Sequence, residues 1–117
     1  MPADLVLKRI YDEVSPDDGC RVLVDRLWPR GVSKERAALD LWLKEAAPSP
    51  ELRTAWHHDP ARFDEFAEAY RAELATNPAV EQLRELRASH ERVTLLFAAH
   101  DPEVNHVVVL RDVIVGE

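Results

Sequence analysis

The chain has 117 residues, of which 46% are hydrophobic and 32% are charged, and this balance predicts one globular domain that spans residues 1–117. No apolar run is long enough to cross a bilayer, and the apolar content is too high for a disordered chain. The net charge of −7 argues against nucleic acid as a partner, because proteins that bind a phosphate backbone are usually basic.

The charge is unevenly distributed along the chain. Positive and negative side chains balance over residues 1–36, and within 21–36 five basic residues outnumber two acidic ones. Such a short cationic stretch on an acidic body suits a small anion rather than a polynucleotide. The N-terminus lacks the features of a signal peptide, and the one cysteine, Cys20, has no partner for an internal disulfide, so we expect a cytoplasmic location.

Three segments have the composition of β-strands: 5–11, 21–28 and 93–99. The turn residues 15–19 join the first two, and the third lacks polar alternation, as expected when both faces of a sheet are covered. The first link is only about nine residues long, which is short for a helical crossover, so the first two strands have the alternative of pairing antiparallel.

Helices are predicted where a proline follows a good N-cap residue, which occurs at Ser49, Asp59, Asn77 and Asp101. Apolar residues recur at helical spacing after the second and third of these positions. Beyond Asp101, a run of three valines favours a strand whereas the spacing of apolar residues favours a helix, and we predict a helix.

An earlier helix is predicted from the cap Ser33 to about Ala46, with Leu39, Trp42 and Leu43 facing the core. Strands that alternate with helices predict an α/β fold: a small, mostly parallel sheet of about three strands, covered by helices on both faces.

The first group of candidate site residues follows the second predicted strand: Asp25, Arg26, Trp28, Arg30, Ser33 and Lys34. Ligands of open α/β sheets bind beyond the carboxyl ends of the strands, and a helix N-terminus favours an anion. The alternative is structural, with Asp25 paired to Arg26 and Trp28 buried in the core.

The second group follows the third predicted strand and contains His100, Asp101, Asn105 and His106. A histidine titrates near neutral pH and is a candidate general acid or base, which Asp101 or Asn105 would orient. The alternative is that Asp101 is only an N-cap and His106 only a residue on a helix face. If the two strands are neighbours, both groups line one crevice.

A third group lies on the predicted helix after Ser49. Arg53 is a candidate anion ligand, with pairing to a carboxylate as the alternative, and Trp56 is expected to stack on a ligand or to lie in the core. His57 and His58 point about 100° apart on a helix, so they are disfavoured as joint metal ligands. The spacing of His100, Asp101 and His106 matches no HExxH or CxxC pattern, so no metal site is predicted. Cys20 is expected to be a buried apolar residue rather than a nucleophile.

Four sequence blocks resemble the short, YeaO-like branch of the DUF488 family: 24–31, 41–49, 52–59 and 93–106. The resemblance implies a compact bacterial cytoplasmic α/β domain and by itself implies no reaction. Longer members of the wider family have an Asp-Val-Arg-like strand end, to which Asp25-Arg26 is similar, and a Cys-His-Arg triplet. Of that triplet, residues 105–107 keep only His106, which removes the family's cysteine and arginine from any mechanism here.

We therefore expect a small-molecule-binding protein or enzyme with a pocket for a phosphate-like or nucleotide-like anion. Arg26, Arg30, Lys34 and the helix start at Ser33 would hold the anion. Asp25 and His106 would transfer protons, with Asp101 steering the imidazole. No GxGxxG, P-loop or GxSxG motif is present, so the sequence identifies no cofactor.

Two further classes compete with this expectation. A non-catalytic interaction or regulatory module would use the acidic residues of 60–91, including Glu68 and Glu85, as a partner surface, although a solvated helix face is the simpler explanation for them. DNA binding ranks third, because of the net charge and the lack of a basic recognition helix.

Overall fold

The computed structural model describes residues 4–56, 59–101 and 104–116. These residues form one sheet of four strands: β1 (Asp4–Arg9), β2 (Cys20–Leu23), β3 (Leu41–Trp42) and β4 (Arg92–Phe97). The strand order is β1-β4-β2-β3, and every neighbouring pair is parallel. The predicted small parallel sheet is confirmed, with β3 as a strand that the sequence did not predict.

The same described residues form five α-helices: α1 (Lys34–Ala37), α2 (Pro50–Trp56), α3 (Phe63–Leu74), α4 (Pro78–Ser89) and α5 (His106–Val115). Short 3-10 turns occupy Pro16–Asp18, Lys44–Ala46 and Pro60–Arg62. None of the described helices is long and apolar enough to cross a membrane.

Both faces of the sheet are covered, but unequally. Alternate residues of β4 (Val93, Leu95 and Phe97) belong to the larger core, which α2, α3, α4 and α5 close. Leu96 points into a smaller core on the other face, which is completed by Ala37 of α1 and by the loop after β2. This alternation between two buried environments explains why β4 has no polar face.

The link between β1 and β2 does not form the antiparallel hairpin that its length allowed. Both strands are instead parallel to β4, which lies between them. The link crosses the start of β4 closely, and Gly19 has φ 65°, where a Cβ atom would lie 2.3 Å from the carbonyl oxygen of Arg92. Only glycine fits this position without a shift of the backbone.

The helix predicted from Ser33 to about Ala46 is wrong in length. Ser33 does cap α1, but the helix ends at Ala37 because Ala38 adopts a left-handed conformation with φ 48°. The Asp40 carboxylate then accepts a hydrogen bond of 2.8 Å from the backbone N–H of Arg21, which aligns the following residues with β2. Trp42, expected on a helix, therefore lies in β3.

Three of the four predicted N-caps are confirmed. The Ser49 hydroxyl accepts a hydrogen bond from Leu52 N at the start of α2, and the Asn77 side chain accepts one from Ala79 N at the start of α4. The Asp59 side chain caps a 3-10 turn, after which α3 begins at Phe63.

The fourth predicted helix start is wrong. The tail does form a helix, but α5 begins at His106, and its N-cap is Asn105. The Asn105 side-chain oxygen accepts hydrogen bonds from Val107 N and Val108 N, whereas Asp101 Oδ1 accepts one from Val104 N. The bend that Asp101 stabilises precedes the helix, and Pro102 lies outside the described residues.

Candidate functional site

A cavity of about 610 Å³ opens at the carboxyl ends of β1, β2 and β4. Each of these strands runs directly into residues that line it: Tyr11 after β1, Asp25 after β2 and Ala98 after β4. The other lining residues come from the loop after β2, the run before α2, α2 itself, the end of β4 and the start of α5: Arg26, Leu27, Trp28, Pro29, Arg30, Ala47, Pro48, Arg53, Thr54, Trp56, Ala99 and His106. We call this space the strand-end cavity.

Asp25 and His106, which are 81 positions apart in the sequence, lie in contact at the inner end of this cavity. The His106 Nε2 atom is 3.3 Å from Asp25 Oδ1 and 3.0 Å from the carbonyl oxygen of Val24. Asp25 Oδ2 accepts a hydrogen bond of 2.8 Å from Ala98 N, which joins the ends of β2 and β4. The two side chains are only 15% and 12% exposed, and we call them the cavity floor.

The contacts of His106 determine which ring nitrogen holds the hydrogen. Both atoms near Nε2 are oxygens that can only accept from it, so we assign the hydrogen to Nε2. This atom is therefore a donor to the Val24 carbonyl, and the proton-transfer role expected of His106 stays a prediction.

Arg26 lines the cavity but is partly engaged in holding its wall. Its guanidinium donates from Nη2 to the Ala47 carbonyl at 3.3 Å and from Nε to the Pro48 carbonyl at 3.4 Å. The sequence analysis named Asp25 as an alternative structural partner of Arg26, whereas these contacts direct Arg26 to residues 45–49, which lead into α2.

Side chains from three other positions hold the same run, which we call the wall segment, residues 45–49. The Asn77 amide donates to the Glu45 carbonyl, and the Tyr70 hydroxyl donates to the Ala46 carbonyl. Glu73 accepts from both the backbone N–H and the hydroxyl of Ser49. Burial raises the pKa of Tyr70, with the negative charges of Glu73 and Asp25 adding to the effect, so its hydroxyl stays protonated as a donor. These contacts fix α2 beside the cavity.

Arg30 and Arg53 are the two exposed arginines of the cavity, and we call them the cavity rim. Within the part of the chain that the structure describes, neither guanidinium makes a hydrogen bond or an ion pair. The structural alternative for Arg53, pairing with a carboxylate, is therefore not seen among those residues.

The two tryptophans of the cavity are held differently. Trp56 is 3% exposed and stacks on Phe66 with ring centroids 4.0 Å apart. It belongs to the core, which was one of the two roles predicted for it, the other being stacking on a ligand. Trp28 is half-buried, donates from Nε1 to the Val32 carbonyl at 2.6 Å and packs edge-on against Trp42. Trp28 therefore supplies a fixed aromatic wall that is partly open to solvent.

Tyr11 is a lining residue that the sequence reasoning missed. Its hydroxyl donates to the backbone carbonyl of Arg30 at 3.0 Å, and the Arg9 guanidinium lies 5.2 Å from the centre of its ring. Tyr11 follows β1 just as Asp25 follows β2. The rule that ligands bind beyond the carboxyl ends of parallel strands located Asp25, and it would have located Tyr11 had it been applied to the first strand.

Four predicted site residues are not among those that line the cavity. Ser33 and Lys34 are exposed at the start of α1, a helix of only four residues, and the Ser33 hydroxyl accepts a hydrogen bond from Arg36 N. Asn105 is buried as the cap of α5, and its amide donates to the Asp101 carbonyl at 2.7 Å. The group next to the imidazole is Asp25, so steering of His106 by Asp101 stays a prediction.

Other candidates contribute little to this cavity. Cys20 is buried at the opposite end of β2 from Asp25, where burial and the charge of Asp40 raise the pKa of its thiol. The described residues hold no group of three or more His, Cys, Asp or Glu that could bind a metal ion. His100 is exposed, and His57 and His58 lie outside the described residues.

Comparison with known proteins identifies the family. The model of a family described as "Inactive DUF488-N3 subclade" matches residues 4–117. An Escherichia coli K12 protein named Uncharacterized protein YeaO is 45% identical over 105 residues, which cover 90% of this chain and 91% of that protein.

A Mycobacterium tuberculosis H37Rv protein named Uncharacterized protein Rv3073c is 44% identical over 108 residues, which cover 92% of this chain and 91% of that protein. No solved structure matches. The match over almost the whole chain and the two close relatives show that this chain belongs to the DUF488 family, in its YeaO-like group.

Proposed function

We propose that the protein binds a small anion of the phosphate-like or nucleotide-like kind in the strand-end cavity. The observation that carries the proposal is that three arginines, Arg26, Arg30 and Arg53, line one concave site. The two at the rim make no contact with a carboxylate among the described residues, so their donors are available to a ligand.

The chemistry of arginine favours an oxyanion as that ligand. A guanidinium presents five N–H donors in a planar fork that matches phosphate or carboxylate oxygens, and such charge-assisted hydrogen bonds are about twice as strong as neutral ones. The net charge of −7 makes a cationic rim unusual on this chain. A cavity of about 610 Å³ is also within the range of small-molecule sites.

Binding is favoured over turnover for two reasons. The family is described as an inactive subclade, and residues 105–107 lack the cysteine and arginine of the triplet in longer relatives. In addition, His106 uses Nε2 as a donor, and the Cys20 thiol lies at the other end of β2 with a raised pKa. The floor therefore serves to position a ligand.

The test is calorimetric titration of inorganic phosphate into the wild-type protein and into variants of the rim. We expect Arg30→Gln and Arg53→Gln each to weaken phosphate binding about fivefold, and the double variant to weaken it at least about twentyfold, because each removes one charge-assisted contact. Arg71→Gln is the matched control, since Arg71 is an exposed arginine on α3 and does not line the cavity.

The control variant is expected to bind phosphate as the wild type does. Equal affinity of the Arg30→Gln/Arg53→Gln double variant and the Arg71→Gln variant would contradict the proposal, as would a wild-type protein that binds no phosphate at millimolar concentration. Thermal unfolding of each variant checks that the fold is retained, since these exposed positions are expected to change stability by less than about 0.5 kcal/mol.

A further inference from the structure

We infer, building on the proposed function, that the ligand is a small molecule with three distinct parts. Its outer end carries one phosphate or carboxylate, its centre is an apolar ring, and its inner end carries an N–H or O–H donor. The inference comes from the way charge changes sign between the rim and the floor of the strand-end cavity.

The positive charge lies at the mouth of the cavity. Arg30 and Arg53 are exposed, whereas Asp25 and His106 are nearly buried, at 15% and 12% side-chain exposure. Arg26 is directed at the carbonyl groups of the wall segment. An anionic group is therefore best placed at the outer end, beside the two guanidinium groups that make no hydrogen bond or ion pair among the described residues.

The floor has the opposite preference. An ionised carboxylate accepts hydrogen bonds and donates none, so Asp25 attracts a donor and repels a second anionic group. The facing His106 lies 3.3 Å from this carboxylate through Nε2, and the hydrogen on Nε2 is donated to the Val24 carbonyl at 3.0 Å. A ligand that is anionic at both ends is disfavoured, because its inner charge would meet Asp25 where little water screens it.

The walls between rim and floor are mainly apolar. Trp28 and Tyr11 contribute aromatic rings, and Pro48, Ala98 and Ala99 contribute small apolar surfaces. Trp28 is fixed by its hydrogen bond to Val32 and its packing on Trp42, so a flat ring can pack against it with little loss of side-chain entropy.

Three aryl phosphates that differ at one position test this polarity. Phenyl phosphate, 4-aminophenyl phosphate and 4-carboxyphenyl phosphate share the outer phosphate and the ring and differ only at the inner end. By calorimetry with the wild-type protein, we expect the amino compound to bind at least about tenfold more tightly than the carboxy compound, with phenyl phosphate between them.

Asp25→Asn locates the source of this preference, because asparagine keeps an acceptor oxygen and removes the charge. We expect the variant to reduce the ratio between the amino and carboxy compounds to less than about threefold. Asp64→Asn, at an exposed position on α3, is the matched control and should keep the wild-type ratio. If Asp25→Asn fails to fold, the wild-type series alone decides the question.

The outcomes separate the two proposals. Binding of phenyl phosphate with no preference among the three compounds, or a preference for the carboxy compound, overturns this inference and leaves anion binding intact. Failure of all three compounds to bind, in a protein that binds inorganic phosphate, overturns this inference alone. Failure of the three compounds and of inorganic phosphate overturns the proposed function as well. The expected order in the wild type, lost in Asp25→Asn and kept in Asp64→Asn, supports both.

Discussion

At the scale of single residues, the most consequential group outside the cavity is a buried ion cluster at the amino end of the sheet. Asp18 is 7% exposed and receives hydrogen bonds from Lys8 at 3.0 Å, from Arg21 at 2.5 Å and from Ser15 N at 2.9 Å. Arg21, itself 4% exposed, also donates to the Ala37 carbonyl. The cluster thus joins β1, β2 and the end of α1.

Removing the charge of Asp18 is expected to be costly. Asp18→Asn would leave the buried Arg21 guanidinium without its carboxylate, and we predict a loss of about 3 kcal/mol in the free energy of unfolding at pH 7. Urea unfolding measures this loss, with Asp64→Asn as the exposed control. A loss no larger than that of the control would show that the cluster contributes nothing.

The same residue predicts how stability depends on pH. Burial by itself raises the pKa of Asp18, but hydrogen bonds from Ser15, Lys8 and Arg21 outweigh it, so the pKa is lowered from its usual 3.8. A lowered pKa contributes stability above the unfolded value, and this contribution is lost as the pH falls through the folded value. The difference in unfolding free energy between wild type and Asp18→Asn should therefore shrink below about pH 4, and a constant difference would contradict the assignment.

At the scale of elements, the link between β1 and β2 determines the topology. This link contains a 3-10 turn in place of a crossover helix, and the turn crosses the start of β4. Two side chains of β4 hold the turn there: Thr94 donates to the Asp18 carbonyl, and Arg92 donates to the Asp17 carbonyl. Gly19 allows the closest approach in this crossing. The central place of β4, between two strands that precede it in the sequence, depends on this turn.

The two glycines with positive φ give a matched pair of variants. Gly31 has φ 78°, but a Cβ atom there would have no neighbouring atom within 4 Å, so Gly31→Ala should cost only the backbone strain, about 1 kcal/mol. In Gly19→Ala the Cβ atom would also lie 2.3 Å from the Arg92 carbonyl oxygen, and we expect a loss of about 3 kcal/mol or more. Equal losses in thermal or urea unfolding would show that the crossing is not tight.

Three turn or helix starts that depend on a local cap were predictable, although the local cap of α5 was misplaced, and element limits that depend on distant contacts were not predictable. The caps Ser49, Asp59 and Asn77 stabilise the turns that directly follow them, so their sequence signature was sufficient. The end of α1 at Ala37 and the pairing of β3 depend on Asp40 reaching the backbone of Arg21, which no local pattern contains.

At the scale of the whole molecule, the strand order brings the candidate site together. β4 is the neighbour of β2, so the segments after these strands meet, as the hydrogen bond from Ala98 N to Asp25 and the contact of Asp25 with His106 show. The chemistry of each segment was readable from the sequence. Their meeting was only a hypothesis there, because strand order arises from pairing over long sequence distances.

The three-dimensional arrangement also explains why some predicted site residues lie outside the strand-end cavity. Ser33 and Lys34 were grouped with Arg30 by sequence proximity, but α1 is short and its start does not line the cavity. Conversely, Tyr11 and Pro48 reach the cavity only because β1 and the wall segment lie next to it in space. Proximity to Asp25 in the sequence therefore predicted the cavity-lining residues well as far as Arg30 and poorly beyond it.

We propose that separate stretches of the chain form one anion-binding cavity. An NMR titration of the labelled protein with phenyl phosphate tests this proposal most directly. We predict saturable shifts of backbone amides in each stretch, at Arg30 in the loop after β2, Thr54 in α2, Ala99 after β4 and His106 at the start of α5. Shifts confined to a single stretch, shifts centred on the exposed faces of α3 and α4, or no saturable shifts would contradict the claim.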